Sequence, residues 1–197
     1  METKTLDLGP QAAEVARIVT GVREEQLTGP TPCAGTPVAG LLDHLAGLAL
    51  AFRAAARKQP LPGGPRASAE DLPPDWRSLI PARLAELATA WEDAAAWAGV
   101  TEVAGARMPA AAMGRVALDE VLVHGWDLAV ATGQDYRPDP AAVEACLAYV
   151  TAMNTPENQA MRDGQFGPVV PVPDDAPALD RLLGLTGRDP RWGPPGR

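Results

Sequence analysis

Stretches rich in alanine and leucine, with apolar residues returning every three or four positions, alternate in this chain with clusters of proline and glycine. That spacing matches the 3.6-residue turn of a helix, not the two-residue alternation of a half-buried strand. Alanine is the best helix former and lets two helices approach closely. Proline lacks the amide donor a helix interior needs, and glycine costs backbone entropy there. The 21 prolines and 19 glycines therefore read as punctuation between helices rather than as disorder, and the chain is expected to be all-α.

Five helical segments follow from this pattern. The first is expected from about Pro10 to Leu27, with Ala13, Val15, Ala16, Ile18, Val19 and Val22 on its apolar stripe. Gly29-Pro30, Pro32 and Gly35 mark a loop. Thr36 then reads as an N-cap, with Pro37 at the first position of a second helix reaching about Lys58. Gln59–Pro74, dense in proline, reads as a long surface loop. A third helix is expected from Trp76 to Trp97, its regular part delayed by Pro81 to near Ala82, with Leu84, Leu87, Trp91, Ala94 and Ala95 inward. A fourth runs from about Ala110 to Ala131 with Gly133 as C-cap, and a fifth from Asp139 and Pro140 to about Met153. Beyond Asn154, Phe166–Pro177 alternates valine and proline and reads as extended, before a short helix at Ala178–Leu185 and a tail to Trp192. The expected architecture is a helical bundle with accessory helices and an extended proline-rich C-terminal segment. It is read as one domain over 1–197, with the bundle at about 10–153 and the extension at 154–197.

At 197 residues the chain can bury a sizeable core. Its formal net charge of −8 lacks the basic footprint that a nucleic-acid backbone or an anionic membrane surface requires, so neither is expected as a partner. No apolar leader and no run of about 18 apolar residues is read. Cys33 and Cys146 lie far apart with no C-x-x-C motif, so the expected setting is a reducing cytoplasm.

Glu120 and His124 are four residues apart on the fourth helix and project from one face. That face is the inward stripe, because Met113, Ala117, Val121 and Leu128 share it. A carboxylate and an imidazole thus stand where a bundle normally places leucines. His44, the only other histidine, is flanked on the second helix by Leu41, Leu45 and Leu48. A carboxylate buried without a partner costs several kcal/mol, and no lysine or arginine shares the stripe near Glu120, Arg115 being off the face. A divalent metal on His44, Glu120 and His124 resolves the conflict. Two imidazoles and a carboxylate suit zinc, nickel or another first-row ion, and three protein ligands leave a position for water or substrate. The competing reading makes each histidine an ordinary core or rim residue.

The stretch Thr31-Pro-Cys-Ala-Gly35, with Leu41-Leu-Asp-His-Leu-Ala-Gly47, resembles the signature of the mycothiol-dependent maleylpyruvate isomerase N-terminal family, within the DinB-like metalloprotein superfamily. Asp119-Glu-Val-Leu-Val-His-Gly-Trp-Asp-Leu-Ala129 is similarly placed. The ending Phe166-Gly-Pro-Val-Val-Pro-Val-Pro173 and Asp180–Trp192 resembles a short-form actinobacterial subgroup. The resemblance implies a four-helix bundle whose metal is held by His44, Glu120 and His124. Members usually carry tryptophan after the Cys-Ala-Gly turn, where this chain has Thr36. The full-length isomerase also has a second domain that supplies substrate contacts, including an arginine, and no counterpart is read here.

The function expected from the resemblance is a zinc-dependent, thiol-using transferase or isomerase acting on small electrophiles, with mycothiol as candidate thiol. The alternative is a metal-binding, ligand-binding or regulatory domain without turnover. The partners expected are a small-molecule substrate and a low-molecular-weight thiol, in a monomer or homodimer. Asp127, one turn past His124, either supports the site from behind or ends an acidic face. Asp43 is expected to point to solvent. Cys33 reads as a fourth ligand, a reactive thiol or a small buried turn residue, and Cys146 as core. Trp76, Trp91, Trp97 and Trp126 read as packing residues, and Arg181, Arg188 and Arg191 as surface ion pairs or anion-binding groups.

Overall fold

The computed structural model describes residues 6–163 and 165–194; residues 1–5, 164 and 195–197 of the expected domain lie outside the described residues. Four helices form the bundle: α1 (Gly9–Gly21), α2 (Val38–Ala56), α3 (Trp76–Glu92) and α4 (Ala110–Thr132). Both α1 and α2 pack against both α3 and α4, so the ring order is α1–α3–α2–α4. Val15, Ile18, Leu42, Leu45, Ile80, Leu87, Leu122 and Leu128 are fully enclosed between them. Helix α5 (Pro140–Met153) lies on α4, and α7 (Ala178–Leu185) packs on α5, with the short α6 (Gln159–Asp163) between them in sequence. The all-α bundle with accessory helices is as expected, and Phe166–Pro177 runs without helix or strand.

The helix ends differ in instructive ways. α1 stops at Gly21, where the Gln134 side chain donates to the Ile18 carbonyl at 3.0 Å, and only a short 3₁₀ turn (Glu24–Gln26) follows. Its buried alanine is Ala12, while Ala13 faces out. Pro37 rather than Thr36 is the N-cap of α2, because loop carbonyls do the capping: Val38 donates to Gly29 and Ala39 to Leu27. Pro81 lies inside α3, whose first turn is anchored by buried Trp76 under the Arg77 guanidinium. Asp93 ends that helix by accepting from the Ala95 amide, which starts a 3₁₀ turn and leaves Ala94 and Ala95 exposed.

A hairpin of β1 (Val100–Val103) and β2 (Ala106–Pro109) joins α3 to α4 and has no counterpart in the helical reading. Its turn, Ala104-Gly105, has positive φ at both positions, as a tight antiparallel hairpin demands. The cap predictions hold elsewhere. Gly133 closes α4 in the left-handed region, and the Asp139 side chain accepts from the Ala142 amide at the start of α5. α2, with 19 residues and an 18-residue window of mean hydropathy 1.4, is long and apolar enough to cross a membrane by length and composition, although Asp43, His44 and Arg53 interrupt its apolar run. Its apolar character follows from its central place in the bundle, where 67% of that window is buried.

Candidate metal centre

Adjacent helices α2 and α4 bring His44, Glu120 and His124 together. The His124 Nε2 lies 3.2 Å from Glu120 Oε2, and the His44 Nε2 lies 3.9 Å from the same oxygen. The two imidazoles stand edge to face, with centroids 4.9 Å apart. One donor atom from each residue falls within a 4.8 Å cluster. Bonds of about 2.1 Å to a four-coordinate ion put neighbouring donors roughly 3.4 Å apart, so the three side chains stand near the spacing a single ion demands. All three are half-buried, which keeps the cluster open toward solvent on one side.

Each histidine has its other ring nitrogen engaged. His44 Nδ1 donates to the Arg66 carbonyl at 3.2 Å, which leaves Nε2 to carry the lone pair of the neutral ring. His124 Nδ1 donates to Asp127 Oδ2 at 3.0 Å. Metal-binding histidines characteristically have this arrangement, since the outer hydrogen bond sets the tautomer and aims the ring. Asp127 is wholly buried and also accepts from the Cys33 thiol at 3.1 Å and from Arg188 at 3.1 Å. Asp127 therefore lies buried behind the His124 ring and does not end an exposed acidic face.

The electrostatics follow from these contacts. Burial pushes the Glu120 carboxyl up, but the hydrogen bond and charge of His124, with His44 and Arg188, outweigh it and hold the group below the usual carboxylate range. Burial likewise raises Asp127, and His124 and Arg188 bring it below its ordinary value. Burial lowers His124, yet hydrogen bonds to Asp127, Cys33 and Glu120 lift it well above an ordinary imidazole. His44 is lowered, first by burial and then by the charge of His124.

The remaining sequence candidates sort themselves. Cys33 sits on the Nδ1 side of the His124 ring, 3.8 Å from that nitrogen and across from the Nε2 that faces Glu120. It is brought there by the Thr31–Thr36 turn, in which Thr31 Oγ1 bonds the Thr36 carbonyl and Gly35 takes a positive φ. Cys146 is core, and both cysteines are free. Asp43 does not simply face solvent; its carboxylate accepts from the Ser68 amide at 3.1 Å and ties the proline-rich loop to α2. Trp76, Trp91 and Trp126 are buried and Trp97 packs edge to face on Trp91. Arg191 pairs with Asp189 at the surface, and Arg188 pairs with Asp127 inside. Sequence reasoning did not find the Arg66 carbonyl, because main-chain acceptors leave no residue-type signal.

The helical bundle is of the kind found in the DinB-like class. Residues 8–129 match the mycothiol maleylpyruvate isomerase N-terminal domain family, and the chain belongs to that metal-dependent, mycothiol-related family. The matched region takes in Cys33, His44, Glu120, His124 and Asp127 and ends before Arg188. Two uncharacterized proteins, from two strains of Mycobacterium tuberculosis, are each 31% identical over 179 residues, covering 89% of this chain and 92% of theirs. No solved structure matches the chain significantly.

Proposed function

We propose that His44, Glu120 and His124 hold a divalent ion of the zinc type, and that the chain, acting as one unit, is a thiol-using transferase or isomerase of small electrophilic molecules. The observation that carries this reading is the paired orientation of the histidines: both Nε2 atoms are aimed at Glu120 while both Nδ1 atoms are engaged elsewhere. The donor set fits the group, since two imidazole nitrogens and one carboxylate oxygen are what zinc and neighbouring ions accept, and three ligands leave an open position.

A bound divalent ion lowers the pKa of a coordinated thiol, so that a thiolate is available near neutral pH. The protein's own residues do the rest. Glu120 supplies the negative charge that offsets the cation, and its partial exposure leaves one face of the cluster accessible. His44 and His124 are held in register by Arg66 and Asp127, which reduces the reorganisation needed when a ligand arrives. The thiol class, with mycothiol foremost, comes from family membership.

Metal analysis of the purified protein beside His44→Ala, Glu120→Ala and His124→Ala tests the centre. The expected result is one divalent ion per chain in the parent and loss of it in each variant. A parent without stoichiometric metal, or variants that retain it, would sink the reading. Thiol-consumption assays of the loaded protein against electrophilic substrates then test the chemistry.

A further inference from the structure

Outside the family-matched region, one residue reaches back into the site. We infer that Arg188, carried by the C-terminal segment, is a positioning residue: by holding Asp127 it fixes the His124 ring with Nε2 turned toward Glu120 and His44. This rests on the metal reading above.

Arg188 is half-buried and all of its nitrogens are committed. Nη2 donates to Asp127 Oδ2 at 3.1 Å and Nε approaches Oδ1 at 3.4 Å, a two-pronged grip on the carboxylate. Nη1 donates to the Thr186 carbonyl at 2.8 Å, and Nη2 also lies 3.7 Å from Cys33 Sγ. The guanidinium therefore spends Nε and Nη2 on Asp127 and Nη1 on the Thr186 carbonyl, so its main grip is on the buried carboxylate. Asp127 shows no exposure, so without Arg188 its charge would stand in the interior with only the His124 imidazole and the Cys33 thiol beside it. With Arg188 in place, the carboxylate stays ionised and accepts the Nδ1 proton of His124, which reserves Nε2 for the open face.

The tail is built to deliver this side chain. α7 docks on α5, and the Arg188 amide then bonds back to the Leu183 carbonyl at 2.8 Å. The turn passes through Gly187, whose φ is +84° and whose Cβ would stand 2.7 Å from the Gly167 Cα. Only glycine satisfies both conditions. The extended segment and α7 thus serve to place one guanidinium behind a histidine of α4.

The chain has only two histidines, so their ring nitrogens can be followed individually by ¹⁵N NMR. The experiment uses the full chain, free of metal, as wild type, Arg188→Lys and Arg188→Met, recorded above the titration of His124. In wild type the Nδ1–H tautomer of His124 is expected to dominate. In Arg188→Met it should give way to a mixture while His44 is unchanged, and zinc affinity should fall about 10–100-fold. Arg188→Lys should restore part of both. Wild-type tautomer and zinc affinity in Arg188→Met would overturn the proposal. So would a loss that spreads to His44 together with near-ultraviolet circular dichroism in both variants, because the arginine would then act on the fold as a whole. A wild type that takes up no zinc fails the metal reading itself, and the tautomer measurement tells that failure from this one.

Discussion

The His124 imidazole donates from Nδ1 to the carboxylate of Asp127 across 3.0 Å, and that carboxylate has no solvent-exposed surface. Arg188 holds it from the other side at 3.1 Å. Removing one member of a buried pair leaves the other charge uncompensated, which costs about 3–5 kcal/mol. Asp127→Ala is therefore expected to lower the unfolding free energy of the metal-free protein by about that amount. The double variant Asp127→Ala/Arg188→Met should lose less, since no orphan guanidinium remains. Urea unfolding of the three proteins measures the difference, and a double variant less stable than Asp127→Ala would refute the pairing argument.

Metal uptake should compete with protons. His124 is lifted well above the ordinary imidazole range by its carboxylate partners despite burial, so near neutral pH the metal-free ring carries a proton on Nε2. His44 is lowered by burial and by the charge of His124, and is already neutral. Binding must displace the His124 proton, and affinity should rise about tenfold per pH unit while that ring remains protonated, levelling off above its titration. Zinc titrations by calorimetry in buffers of differing ionisation heat would show about one proton released. An affinity flat from pH 6 to 8 would contradict this.

Much of the bundle was legible because its signals are local and periodic. The stripe Met113, Ala117, Val121 and Leu128 fixed the inward face of α4, and Gly133, Asp139 and Pro140 marked helix ends where the structure has them. The hairpin at 100–109 escaped because its strands have four residues each, too short for a period to show. At the site, the three side chains on α2 and α4 were readable as polar residues on apolar stripes. What holds them was not. Asp127 was readable only as a neighbour, while Arg66 acts through its carbonyl and Arg188 comes from 61 residues away, so neither leaves a helical spacing to read.

Asp119, beside Glu120 but facing the interior, has a carboxyl oxygen with no hydrogen-bond partner among the described residues. Burial, reinforced by the charge of Glu120, pushes its pKa up from 3.8 to about 8. A group raised by folding must take up a proton on folding between those values. Its contribution to stability is therefore full below about pH 4 and is lost as pH rises toward 8. Asp119→Asn has no proton to take up. Its advantage in the metal-free protein should be nil near pH 4 and grow to a few kcal/mol by pH 8, on the order of 1.4 kcal/mol per unit at most. Thermal or urea unfolding at pH 4, 6 and 8 checks the trend; an advantage that shrinks with pH would reverse the assignment.

The last prediction concerns the proline-rich loop, which lies along α2 because of two missing side chains. Gly40, His44 and Gly47 fall on one face at spacings of four and three. A Cβ at Gly47 would stand 3.2 Å from that of Pro65, and one at Gly40 would stand 3.2 Å from the Ala67 carbonyl oxygen. Between these two notches the Arg66 carbonyl accepts from His44 Nδ1. Two glycines inside a helix cost up to about 1 kcal/mol each relative to alanine, so their placement is explained by what the loop needs and not by the helix. Gly47→Ala is expected to push Pro65 outward and draw the Arg66 carbonyl away from His44. Zinc affinity should then fall about tenfold, the lower end of what losing such a partner costs, while thermal stability holds or rises with the better helix former. Opposite movement of the two quantities is the diagnostic result, because damage to the core would lower both. Should affinity stay at the wild-type value, the loop does not steer His44.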